Sequence, residues 1–232
     1  MNSDLISQSP SRIEAVTDFI RTIHKINAIL LSFFILAHLA THFSGIFGVE
    51  TYSAVQAFFR TAYRIPVLEF GLITLVLSQM LLGLGLVILS FKREKPSGFW
   101  AWAQILSGLY LILFLSQHLI ALLMVRMDFD LDTTFFWPAS VMTSSPGIFY
   151  FGPYYFLAIV SILTHIGAAL RYHLISNGYE KLGHKTGIGF LLTGNLLAIM
   201  IVPALSGAYF PIEIPQVWID YVRAHVPNAV FF

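Results

Sequence analysis

The hydrophobic residues of this chain fall into long, nearly uninterrupted stretches that are separated by short polar segments. A helix needs about 20 consecutive apolar residues to cross the hydrocarbon core of a bilayer. Five stretches have roughly this length, and charged residues such as Arg64 and Lys92 lie at their borders. The pattern predicts an all-α membrane protein, a bundle of five transmembrane helices at Ile26–Phe47, Val67–Phe91, Trp102–Val125, Tyr154–Leu170 and Gly187–Ala208.

Two further segments flank the predicted bundle. Ser11 and Glu14 have the spacing of a capping box, which predicts a short amphipathic helix leading into the first span. In PQVWIDYVRAHV, Val217, Tyr221 and Val222 recur at helical spacing, which predicts a helix lying on the membrane surface. We therefore divide the chain into a polar or amphipathic segment at 1–24, a five-helix domain at 25–210 and an interfacial segment at 211–232.

The composition agrees with a membrane protein. Hydrophobic residues make up 57% of the chain and charged residues 11%, whereas soluble domains contain about 25% charged residues. The net charge is +1, and no basic block indicates a nucleic-acid partner. The chain has no cysteine, which excludes disulfides, cysteine-ligated iron–sulfur clusters and thioether-linked haem within it.

Lysines and arginines are unequally divided between the two sides of the predicted bundle. Nine fall on the side of the N-terminus and four on the other. The nine are Arg12, Arg21, Lys25, Lys92, Arg93, Lys95, Arg171, Lys181 and Lys185, and the four are Arg60, Arg64, Arg126 and Arg223. The positive-inside rule then places the N-terminus inside and the C-terminus outside. We expect the cell inner membrane, or the mitochondrial inner membrane in a eukaryote.

Histidines within the apolar spans are the main candidates for chemistry. The first span contains FFILAHLATHF, with His38 and His42. A shift of 80 residues aligns LAHL with SQHL and places His38 on His118, and a shift of 86 aligns LSQM with LTHI and places Gln79 on His165. Apolar spans also resemble one another by chance, so the predicted repeat of two helices depends on these paired polar positions.

Depth separates the polar positions into two layers. At about 1.5 Å per residue, His38 and His118 lie at a similar depth in the outer half of the membrane, and His165 and Gln79 lie further in. A histidine inside a bilayer is costly unless it is paired, and neutral imidazole is an axial ligand of haem iron. The pair His38 and His118 therefore predicts a haem with two histidine ligands. The alternative for each histidine is an interhelical hydrogen bond.

Several stretches resemble a known family in their order and spacing. They are RTIHKINAIL followed by AHL, then YRIPVLE, LSGLYLILFLSQHL and SSPGIFYFGPYYFLAIVSILTHIGAALRY, and together they cover about residues 20–175. This pattern resembles the cytochrome b membrane-anchor subunit of succinate dehydrogenase and fumarate reductase, in its single-chain, five-helix form. The likeness extends more weakly over the fifth span.

The resemblance implies two haem positions. The first and third spans would share an outer haem through His38 and His118, and the second and fourth an inner haem with His165 as one ligand. Gln79 stands where the second span should supply a histidine. The inner haem is therefore absent or held differently, and we expect one haem b rather than two. His42, one turn beyond His38, is an alternative ligand, a propionate donor or an interfacial residue.

The resemblance also implies a function. It implies a non-catalytic subunit that transfers electrons between membrane quinone and the iron–sulfur and flavoprotein subunits of a respiratory complex. The family also has a histidine near the position of His24. His24 would then contact a haem propionate or quinone, or otherwise lie at the inner interface. The competing interpretation is a haem-free or single-haem scaffold or lipid-homeostasis protein that kept the fold without respiratory activity.

Overall fold

The computed structural model of the protein describes residues 12–93 and 96–232, which are almost entirely helical. The helices are α1 Arg12–Ser44, α2 Val49–Tyr63, α3 Pro66–Arg93, α4 Phe99–Met127, α5 Phe136–Met142, α6 Gly147–Ser176, α7 Glu180–Leu205 and α8 Gln216–His225. A 3-10 turn at Gly45–Phe47 joins α1 to α2. The strands β1 Ser144–Ser145 and β2 Val230–Phe231 form one short antiparallel pair.

Five of these helices, α1, α3, α4, α6 and α7, are long and apolar enough to cross a membrane. The predicted all-α bundle with five candidate spans is therefore confirmed. The helices are longer than the predicted spans, because polar turns at their ends continue the helix beyond the apolar stretch. In particular, α7 begins at Glu180 rather than Gly187 and ends at Leu205.

The flanking segments differ in part from the sequence prediction. From residue 12 onward no separate helix precedes the first span, since α1 is continuous from Arg12 through residues 24 and 25. Ser11 of the predicted capping box lies outside the described residues. The helix predicted in PQVWIDYVRAHV is present as α8, and it buries Trp218 and Val222 against the rest of the protein.

Two short helices were not predicted. In α2, Tyr52 and Gln56 are buried one turn apart, and the residue before the helix, Gly48, has a φ of 114° that favours glycine. The helix α5 has only seven residues. Isolated helices this short are unstable in water, so tertiary packing rather than local sequence stabilises α2 and α5.

Helices α2, α5 and α8 and the two strands lie together where α1, α4 and α7 end, and we call them the cap. A buried cluster of Tyr52, Phe135, Ala139, Met142 and Leu205 joins them to the bundle. The C-terminus is part of the cap, because the backbone N–H of Phe232 donates to the carbonyl of Thr143 over 3.1 Å.

The spanning helices pack unevenly. Helix α6 packs closely on α4 and α7, and α1 packs on α3. In contrast, no Cα atom of α1 lies within 8 Å of one in α4 or α6, although all three helices are fully among the described residues. The interior between α1 and the helices α4 and α6 is therefore bridged by side chains rather than by close backbone contact.

Glycine permits the close approach of α6 and α7. A Cβ atom built on Gly194 would lie 2.9 Å from the Cβ of Leu163 and 3.4 Å from the Cα of Val160. On the same helix, a Cβ on Gly189 would have no neighbour within 4 Å. Gly194 therefore permits this close approach of the two helices, and Gly189 does not contribute to it.

We expect Gly194→Ala to lower the thermal stability of the protein in detergent, because overpacking costs about 1–3 kcal/mol. Gly189→Ala is the matched control and should leave the melting temperature unchanged or slightly raised, since alanine favours helix. Equal melting temperatures for the two variants would contradict the packing described here.

Candidate functional site: a histidine-lined interior

A cavity of about 280 Å³ lies between α1, α3 and α4 at the end of the bundle next to the cap. Its walls are mostly apolar, and three imidazoles face it, those of His38, His42 and His118. We call these three residues the cap layer. All three are only partly exposed, and this exposure is toward the cavity.

The structure brings the two predicted ligands together. The ring centroids of His38 and His118 are 6.2 Å apart, with the ring planes at 76°. Phe34 stacks on His38 and Phe114 stacks on His118, each with a centroid distance of 5.4 Å. Each imidazole is thus fixed by an aromatic ring one turn earlier on its own helix.

The side chains of the cap layer have no hydrogen-bonded partners in the part of the chain that the structure describes. His38, His42 and His118 make no side-chain hydrogen bond to any other described residue. The interhelical hydrogen bond considered as an alternative for these histidines is therefore not present. Unpaired polar groups are costly in a membrane interior, so these nitrogens are available to a ligand.

The separation of His38 and His118 agrees with a metal atom between them. An imidazole nitrogen lies about 2.0–2.1 Å from a bound first-row metal such as zinc. Ring atoms lie about 1.1 Å from the centroid of a five-membered ring with bonds of about 1.35 Å. Two imidazoles on opposite sides of one metal then have centroids about 6.4 Å apart, close to the observed 6.2 Å.

His42 adds a third imidazole to the layer, with its centroid 4.7 Å from that of His38. No group of three or more histidine, aspartate or glutamate side chains in the described part of the chain has the geometry to hold a bare metal ion. Tyr52 of the cap packs against His42, with a centroid distance of 5.6 Å. Burial raises the pKa of Tyr52 above its usual value, so its hydroxyl stays protonated.

Charged residues surround the cavity where it meets the cap. Arg60, Arg64 and Arg126 all line it, together with Glu69. Glu69 forms its main ion pair with Arg126 of α4. The Nε of Arg64 lies 4.0 Å from the Oε1 of Glu69. Arg60 pairs with Asp132 at 2.6 Å. Three arginines thus face two carboxylates, which leaves this rim with one excess positive charge.

Two polar atoms at the rim lack partners. The Nε of Arg60 and the Oγ1 of Thr134 are buried without a hydrogen bond to any described residue. Both residues line the cavity. The rim was not found from the sequence, because α2 and the 128–135 loop come together only in the folded protein. Its only sequence signal is the group of arginines around the start of the second span.

A second polar group lies further from the cap, and we call it the distal layer. It consists of His24, Gln79 and His165. The Nε2 atoms of His24 and Gln79 are 3.0 Å apart. The Nδ1 of His165 is 3.1 Å from the carbonyl oxygen of Gln104 and 3.3 Å from the Oγ of Ser107.

The structure places His24 in the distal layer beside Gln79 and His165. The repeat alignment matched Gln79 with His165 and left His165 without an imidazole partner. In the structure Gln79 contacts His24, and the centroids of His24 and His165 are 6.4 Å apart with the ring planes at 71°. The sequence predicts His24 at the membrane interface, because it precedes the apolar stretch. In the structure α1 already begins at Arg12, so His24 lies within this helix, and its ring faces that of His165.

Comparison of the chain with family models, with curated proteins and with solved structures gave no match.

We expect Arg60→Gln to destabilise the protein by about 1–3 kcal/mol, because it removes buried hydrogen bonds to the carbonyl and hydroxyl of Thr133 and a pair with Asp132. The matched control is Arg21→Gln, whose pair with Asp18 is mostly exposed and should contribute little. Thermal unfolding in detergent measures both, and an equal loss in the two variants would contradict the rim described here.

Proposed function

We propose that this protein is a membrane subunit that holds a b-type haem through His38 and His118 and passes electrons to or from membrane quinone. In this proposal it anchors iron–sulfur and flavoprotein subunits, as the family it resembles does. The observation that supports the proposal most is the facing pair of imidazoles, 6.2 Å apart and without hydrogen-bond partners among the described residues.

The residues around the pair fit this group. His38 and His118 come from helices whose backbones do not touch, so a flat macrocycle would have its place between them. Phe34 and Phe114 hold the two rings in position. The unpaired Nε of Arg60 and the excess positive charge of the rim suit the carboxylates of haem propionates.

The chemistry follows from the ligand set. A haem with both axial positions filled by histidine carries single electrons and offers no open position to a substrate. The chain's own residues bind and orient the group and exclude water from it, because the cavity wall is mostly apolar. This role needs no catalytic residue in the chain, in agreement with an anchor subunit rather than a complete enzyme.

The orientation of the protein in the membrane is part of the same proposal. The distribution of lysine and arginine would place the cap outside and the distal layer toward the cytoplasm, or toward the matrix in a mitochondrion. The subunits that exchange electrons with the anchor would then bind on the side of the distal layer. Quinone would enter from the lipid between the spanning helices.

One observation supports the competing function, a scaffold or lipid-homeostasis protein with one haem or none. Gln79 pairs with His24, and His165 is hydrogen-bonded to Gln104 and Ser107. The distal layer thus has internal partners without any cofactor. The competing function gives no reason for the three unpartnered imidazoles of the cap layer.

We expect the purified protein, expressed with ample haem, to give a b-type spectrum after dithionite reduction and a positive pyridine haemochrome assay. His118→Ala should remove the cap-layer haem or leave it five-coordinate, because one axial ligand is lost. His225→Ala changes an exposed histidine of α8 and is the matched control. A wild-type protein without haem would refute the proposal and favour the scaffold.

We expect the N-terminus in the cytoplasm, or in the matrix, and the C-terminus on the opposite side. Reporter fusions at both termini test this, with fusions after Ser97 and Asp130 as internal references for the two sides. Both termini on one side would contradict five spans, and an external N-terminus would contradict the orientation taken from the charges.

A further inference from the structure

We propose that the end of the bundle opposite the cap binds the phosphate of an anionic phospholipid, with the guanidinium of Arg171 as its main contact. Helix α6 ends there, and α4 and α7 begin there. Such a site requires no haem in either layer, so it is independent of the proposed function. A headgroup held at the membrane surface also needs no enclosed cavity, since the acyl chains stay in the surrounding lipid.

Arg171 is a positive charge without a carboxylate partner in the described part of the chain. Arg21, Arg60 and Arg126 each pair with an aspartate or a glutamate. No ion pair among the described residues includes Arg171. Its Nη2 lies 3.5 Å from the Nδ1 of His184, which is longer than an ordinary hydrogen bond. The charge is therefore available to an anion that these residues do not supply.

Aromatic rings hold this guanidinium in place. Its central carbon lies 5.3 Å from the ring centroid of Trp100 and 5.4 Å from that of Tyr172, which are cation–π distances. A Cβ built on Gly187 would lie 2.8 Å from Cη2 of Trp100 and 3.0 Å from Cδ of Arg171. Residues of α4, α6 and α7 thus fix one side chain before any ligand binds, which lowers the entropic cost of binding.

The guanidinium is open at its outer end. The Nε of Arg171 is buried without a partner among the described residues. Its Nη1 makes no hydrogen bond to a described residue and is not one of the buried atoms, so a ligand can reach it. The planar guanidinium carries five N–H donors, and its fork binds two phosphate oxygens at once. An immobilised arginine of this kind suits a phosphate group.

The helix surface beside Arg171 suits the acyl chains of a lipid. His184 of α7 faces Arg171, and apolar residues follow it at steps of four along the helix. They are Ile188, Leu192 and Leu196, which are 51%, 63% and 58% exposed. A phospholipid with its phosphate at Arg171 would lay an acyl chain along this apolar row. Free phosphate has no group that uses the row.

Nearby lysines favour a headgroup with net negative charge over a zwitterionic one. Lys181 and Lys185 are exposed in the first two turns of α7 and form no ion pair with a described residue. Glu180 in the same turns lies 3.8 Å from His184. Basic pockets between spanning helices at the inner surface bind anionic headgroups. An acidic protein segment would match these charges but not the apolar row.

Stabilisation by added lipid tests this site. We expect dioleoylphosphatidylglycerol, added to the protein in dodecylmaltoside, to raise the melting temperature of the wild type, because a ligand of the folded state stabilises it. Arg171→Gln should bind this lipid about tenfold more weakly, the factor expected for one lost hydrogen bond between charged groups. Arg21→Gln removes an equal charge from an exposed position at the same end of the bundle and should keep the wild-type shift.

Two other additives separate the possible sources of the phosphate. Dioleoylphosphatidylcholine and sodium phosphate at the same concentration should leave the melting temperature of the wild type nearly unchanged. An equal shift with phosphatidylcholine would show that net charge does not matter, and an equal shift with sodium phosphate would show a site for the free anion. An undiminished shift in Arg171→Gln would place the lipid elsewhere. Each of these results would overturn the inference and leave the proposed function intact.

A measurement on the unmodified protein covers the case in which Arg171→Gln does not fold. Native mass spectrometry of the wild type, equilibrated in detergent with equal amounts of the two lipids, should show a preferred adduct with phosphatidylglycerol. Equal occupancy by the two lipids would contradict an anionic headgroup site. Absence of any lipid adduct would also overturn the inference and leave Arg171 to an acidic protein segment.

Discussion

A polar atom in the interior of a bilayer has no water to bond, so it needs a partner from the protein or from a group that the protein binds. This constraint explains more of the structure than helix packing does. Helix α1 lies apart from α4 and α6, and the residues that face the interior include five imidazoles and a glutamine. Their arrangement in two layers determines which part of the bundle is closely packed and which part is open.

The hydrogen bonds agree with the repeat that the sequence indicates. Helices α1 and α4 both run toward the cap, and α3 and α6 both run away from it. Asn27 of α1 donates to Ser78 of α3 over 2.8 Å. The positions 80 residues after Asn27 and 86 after Ser78 are Ser107 and Thr164, and Ser107 contacts the next residue, His165, at 3.3 Å. Each helix pair is thus joined by a polar contact at an equivalent level.

The sequence was sufficient for the spans and for the cap layer. Apolar length predicts a spanning helix directly, and depth follows from residue count, so His38 and His118 could be matched from the sequence alone. The partner of His165 could not be predicted, because the identity of the side chain across the gap depends on how far α1 is rotated and where it begins. The rim was missed for a related reason: Arg60 approaches Thr133 only because the cap orders α2 and the following loop.

The buried atoms without partners distinguish the two functional interpretations. In the described residues there are six such side-chain atoms, two at the rim of the cap layer and four on α3, α4 and α6. Leaving a buried polar atom unsatisfied costs about 1–3 kcal/mol. A scaffold without a cofactor would need water at each of these positions, next to apolar walls. In the proposed function, a haem in the cap layer would supply an iron to His38 and His118 and carboxylates to Arg60. Of the six unsatisfied atoms, the Nε of Arg60 is therefore the one that supports the proposed haem.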